Sequence, residues 1–155
     1  MKTQASGRSK RQKSSEFCRK LFKLTVGGGI IFWITTIVTS LLPIAADYRA
    51  AYSNWSIQTV WVYSLFMGMI IGCCVSYCLL RFFKKIPAKN PILKSVILSS
   101  IALVIAIILI DFPMTFHGTS VVLYYFLIGI MFNTVRFLFL GFGIGYIYKK
   151  LYDSN

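Results

Sequence analysis

Four apolar runs, at residues 24–42, 57–80, 92–112 and 121–148, are separated by short polar stretches. At 1.5 Å per residue the shortest reaches about 28 Å as a helix and the longest about 42 Å, against a hydrocarbon core of about 30 Å. The pattern predicts an all-α integral membrane protein with four transmembrane helices. The outer connection 114–119 is short enough to make the third and fourth spans an antiparallel hairpin. The first and second spans form the other hairpin, across an outer loop at 44–56.

Small residues punctuate these runs at helical spacing. In the second, Ser64, Gly68, Gly72 and Ser76 recur every fourth position; in the fourth, Gly129, Asn133, Gly141 and Gly145 fall on multiples of four, with Gly143 between the last two. A stripe of this kind lets a second helix approach closely, within a bundle or from a partner protein. The first run carries Gly27, Gly28 and Gly29 at one end and Thr35, Thr36, Thr39 and Ser40 further along. The third, around 96–110, is mostly aliphatic and reads as lipid-facing or packed against other apolar surface.

The polar stretches set the orientation. Of 17 Lys and Arg against 4 Asp and Glu, eight precede the first run, five lie between the second and third runs or just inside the third, and Lys149 and Lys150 follow the fourth. Arg49 alone sits in the alternate loops. This is the positive-inside bias, and it places both termini in the cytoplasm. The net charge of +13 would suit nucleic acid, but its distribution fits a topology signal and anionic lipid headgroups at the cytoplasmic face instead. Residues 1–15 read as a basic, flexible tail, with Ser15 capping a helix from Glu16; residues 16–150 form the membrane domain and 151–155 a short tail. Lys94, at the start of the third span, has the reach to snorkel. The first run is too long for a typical signal-peptide core and reads as a permanent anchor. Composition points to a prokaryotic inner membrane.

Against this background Arg136 stands out as the one charge inside the fourth run. A guanidinium at the bilayer centre costs about 2.5–3.5 kcal/mol on insertion scales, so polar company must offset it. Asn133, three residues earlier, shares its face. Counted from the end of the run, Arg136 is about 24 Å inward, too deep for Asp111 at the outer end of the third span. Thr35 and Thr36 lie at comparable depth and are the expected partners on the first span.

Other chemistry is sparse. Cys18, Cys73, Cys74 and Cys78 avoid the outer loops and read as small packing residues, with Cys18 beside the membrane. His117 is the single histidine, and it has no evident partners for metal or haem ligation. The sequon Asn54-Trp55-Ser56 lies too close to the second span for use. No cofactor, metal or catalytic constellation is expected. The sequence therefore predicts a small multi-pass interaction or accessory subunit of a membrane assembly, homo- or hetero-oligomeric. The alternative is a small oligomeric transporter, channel or lipid-handling protein in which Arg136 engages an anionic group.

Overall fold

A computed structural model describes residues 3–52, 56–83, 85–111 and 120–153. Helix α1 spans Thr3–Ser40, α2 Pro43–Tyr52, α3 Ile57–Phe82, α4 Pro91–Ala106 and α5 Ser120–Asp153. Helix α4 runs on into a π-helical turn at Ile107–Asp111. Among the described residues there is no strand. Helices α1, α3, α4 and α5 each contain a stretch long and apolar enough to cross a membrane. Phe22, Ile34, Phe66, Ile101 and Phe139 are among many large apolar side chains exposed along them. In a bilayer that exterior faces acyl chains rather than water.

The ends of these helices differ from the sequence expectation in ways that local chemistry explains. Helix α1 starts at Thr3 rather than at Glu16, so Ser15 lies inside it instead of capping it. Gln, Lys, Arg and Ala in 3–13 are good helix formers, and lengthening an existing helix needs no new nucleus. The region expected to be an outer loop is largely helix α2, with Pro43 as its first residue, a position where the missing N–H costs nothing. At the start of α3 the Ser56 side chain accepts from the Thr59 amide at 3.2 Å. At the start of α4 the Asn90 side chain accepts from the Ile92 amide at 3.1 Å, ahead of Pro91. The residues of the second outer loop, with His117, and Asn54 and Trp55 of the sequon lie outside the described residues, as does the side chain of Asp111.

The first and last spans form the centre. Helix α1 packs on α3 along one side and on α5 along the other, and α4 packs on the far side of α5. Leu24 and Phe32 of α1, Val75 and Leu79 of α3, and Phe137, Leu140, Ile144 and Tyr148 of α5 make one buried cluster. Within it the Phe32 and Phe137 rings meet edge to face at 5.7 Å between centroids. A second cluster joins Ala45 of α2 to Ile128 and Phe132 of α5.

The small residues let these axes approach. A Cβ at Gly72 would sit 3.2 Å from the Thr25 carbonyl oxygen and 3.3 Å from the Gly29 nitrogen, and one at Gly68 3.1 Å from the Gly29 carbonyl oxygen. The backbones of α1 and α3 therefore touch. On α5, a Cβ at Gly145 would meet the Ile92 Cα of α4 at 2.5 Å, and one at Gly141 the Val96 Cα at 2.9 Å. Ser64 and Ser76 are buried beside the α3 glycines. Both stripes are thus occupied within the chain.

Candidate functional site

Arg136 is half-buried on α5, facing the C-terminal end of α1. Its Nε and Nη2 donate to the Thr39 Oγ1 at 3.2 and 3.1 Å, and its Nη1 donates to the Asn133 Oδ1 at 3.4 Å. The Thr39 hydroxyl donates its own proton to the Thr36 carbonyl at 3.1 Å. Both of its lone pairs are left for the guanidinium, the full acceptor capacity of a hydroxyl. The guanidinium carbon lies 6.0 Å from the centre of the Phe132 ring, whose π face favours a cation. Tyr48 of α2 meets the same ring edge to face at 6.1 Å. Three of the five guanidinium N–H groups are engaged in these bonds, leaving two for lipid, water or a ligand.

Of the residues expected around Arg136, Asn133 is in contact and Thr35 and Thr36 are not. The Thr35 and Thr36 hydroxyls donate to the carbonyls of Ile31 at 2.8 Å and Phe32 at 2.9 Å, one turn back in their own helix. The partner is Thr39, next to the last residue of α1. Depth counted from the end of the fourth apolar run assumed that this end lies at the bilayer surface beside the end of α1. The N-terminal turns of helix α5 instead lie beyond the end of α1, where Tyr48 of α2 fits against Gly129. Arg136 is about 20 Å along the helix from Lys149. The C-terminal turns of α1 and the N-terminal turns of α3 are braced nearby. Trp33 Nε1 donates to the Trp61 carbonyl at 3.0 Å, and Trp61 Nε1 to the Ser40 Oγ at 2.9 Å.

The proposed packing residues divide among three neighbours. Gly68 and Gly72 face α1, Gly141 and Gly145 face α4, and Gly129 faces Tyr48. Ser76 is fully buried and its hydroxyl has no hydrogen-bond partner, so it serves as a small residue rather than as a bridge. Cys73 and Cys74 are exposed on the outer face of α3, contrary to the expectation of packing residues, and Cys78 is half-buried.

A second cation was missed. Lys94 does not snorkel; it is 6% exposed. Its Nζ donates to the Phe83 carbonyl at the end of α3 and lies 3.8 Å from the centre of the Phe83 ring. That ring stacks on Tyr148 of α5 at 4.9 Å. One lysine thereby ties the α3–α4 connection to the C-terminal end of α5. The available signal was its position: Lys94 stands four residues after the Asn90 cap and close to an aromatic helix end, where an unpaired carbonyl is available.

Residues 8–150 match the UU048 family, which covers nearly the whole chain, so the protein belongs to that family. Comparisons with curated proteins and with solved structures gave no match.

Proposed function

We propose that this UU048-family protein is a small multi-pass interaction or accessory subunit of a membrane assembly. In this reading its spans form two antiparallel hairpins in a prokaryotic inner membrane with both termini in the cytoplasm. The observation that carries it is that the buried charge and the close-packing stripes find their main partners within one chain. Arg136 is held by Thr39 and Asn133, and the glycine faces are spent on internal contacts. A bundle assembled in this way is a ready-made unit for lateral association, its apolar exterior free for lipid or for a partner's spans. Such an assembly keeps a fixed stoichiometry when extracted from native membranes in a mild detergent and weighed intact. A lone monomer carrying only lipid would contradict the reading.

A second reading draws on the two guanidinium N–H groups left over. A transporter, channel or lipid-handling protein would present them to an anionic group from the outer side, beside Tyr48 and Phe132. Arg136→Gln separates the two. Liposomes containing the purified protein would lose anion flux or lipid movement with this variant under the transport reading. Under the accessory reading, wild type and variant both stay at the level of empty liposomes.

A further inference from the structure

At the inner end of the central helix pair, a groove of about 380 Å³ opens between α1 and α5. It begins where the glycines of α1 stop. At Gly27 and Gly28 the two helices are in contact through Ile147 and Ile144. One turn further along α1, Lys23 replaces glycine, and a long charged side chain lines the gap. Arg19 and Lys23, one turn apart on α1, and Lys150 of α5 line this groove together with Ile147 and Leu151. Glu16 and Lys20 also line it, but they form an ion pair with each other at 2.7 Å. Arg19, three residues after Glu16, is attracted to the same carboxylate. The groove therefore sets four cations against one carboxylate, beside apolar side chains. Its volume falls at the lower end of the roughly 300–1,000 Å³ usual for small-molecule sites.

We propose that this groove binds a phosphate group, and that the phosphate is the headgroup of an anionic phospholipid. The two halves of the lining fit the two halves of such a molecule. Arg19 offers a planar pair of N–H donors to phosphate oxygens, and Lys23 and Lys150 add point charges. Ile147 and Leu151, partly buried against the core cluster, give the groove an apolar wall for the first carbons of an acyl chain. A free phosphate would use the cations and leave the apolar part bare. The inference rests on the membrane placement above and on neither of the two activities.

The test titrates dioctanoyl phosphatidylglycerol, dioctanoyl phosphatidylcholine and inorganic phosphate separately against the purified full chain in neutral detergent. Bound molecules are counted by intact-mass spectrometry. Phosphatidylglycerol should bind in preference to phosphatidylcholine. A charge near an anionic headgroup contributes about fivefold in affinity, so Arg19→Gln with Lys23→Gln and Lys150→Gln should weaken binding about a hundredfold. An equal loss of charge on the same side of the membrane, Arg81→Gln with Lys85→Gln and Lys89→Gln, should change it by less than about threefold. If the triple variant does not fold, Lys150→Gln alone should give the single-charge loss. Molecules that stay bound to the Arg19, Lys23 and Lys150 variant and are lost with Arg136→Gln belong to a separate site, which keeps this outcome apart from the fate of either proposed activity. Inorganic phosphate that displaces the lipid at equal concentration would assign the groove to free phosphate and overturn the lipid as its ligand. Equal losses in both triple variants, or no loss in either, would overturn the site.

Discussion

Replacing Thr39 with Val removes one hydroxyl and leaves the shape of the side chain nearly unchanged. In the structure that hydroxyl accepts from the Arg136 Nε at 3.2 Å and Nη2 at 3.1 Å. Bonds to charged groups contribute about 1.5–3 kcal/mol in water-soluble proteins. Hydrogen bonds between membrane helices average about 0.6 and reach about 1.7 kcal/mol. Two bonds sharing one oxygen should therefore cost about 1–3 kcal/mol when lost, because the guanidinium keeps only Asn133 and must turn toward lipid or water. Thr35→Val is the control, since that hydroxyl donates to the Ile31 carbonyl, which already accepts an intrahelical bond. It should cost less than about 0.5 kcal/mol. In an Arg136→Met background Thr39→Val should also cost little, giving a coupling of about 1–2 kcal/mol in the double-mutant cycle. The assay is reversible unfolding in mixed detergent micelles followed by tryptophan fluorescence, because Trp33 and Trp61 bridge α1 and α3. Equal effects of Thr39→Val and Thr35→Val, or zero coupling with Arg136, would refute the assigned contact.

Three further outcomes follow from the packing and the charge placement. Gly145→Ala should cost about 1–3 kcal/mol of stability in the same assay, because its methyl would meet the Ile92 backbone at 2.5 Å; Gly129→Ala should cost less, because it meets the Tyr48 side chain, whose ring can shift. Lys94→Met should destabilise by about 1–3 kcal/mol by leaving the Phe83 carbonyl unpaired, and should speed trypsin cleavage around Lys85 and Lys89, while Lys94→Arg retains most of the stability. Cys18, exposed on α1, should react with a membrane-impermeant maleimide only after the cell membrane is permeabilised; labelling in intact spheroplasts would reverse the orientation given to the termini.

Much of the architecture was legible because bilayer thickness imposes a length that a run of apolar residues either meets or fails. Four helices long and apolar enough to cross a membrane were legible for that reason, and Ser64, Gly68, Gly72 and Ser76 were readable as a contact face because a spacing of four keeps residues on one side of a helix. The identity of the neighbour was not readable. A glycine stripe specifies close approach, and only the folded chain decides that Gly72 meets Thr25 while Gly145 meets Ile92. The register of Arg136 was missed for a related reason, since hydropathy locates where a helix is apolar and not how far it projects beyond its neighbour. Helix α2 was hidden inside a loop because Ala45, Ala46, Ala50 and Ala51 give a weak pattern, and its packing on Ile128 and Phe132 supplies what the pattern lacks. Lys94 was read as a snorkelling side chain because its acceptor is a backbone carbonyl, at which only its place near an aromatic helix end hints.

The central claim is that the first and last spans of a single chain pack together and satisfy Arg136 between them. A cysteine pair tests it most directly. A Cβ at position 143 would lie 3.3 and 3.5 Å from the two γ carbons of Ile31, a separation that a disulfide can close. In a background with Cys18, Cys73, Cys74 and Cys78 replaced by Ala, Ile31→Cys with Gly143→Cys should oxidise readily in native membranes. The product should be a faster-migrating species at monomer mass, while Ile34→Cys with Gly143→Cys, whose residue 34 faces outward, should not form it. A crosslink found only between two chains, or none under conditions that oxidise accessible thiols, would contradict the account.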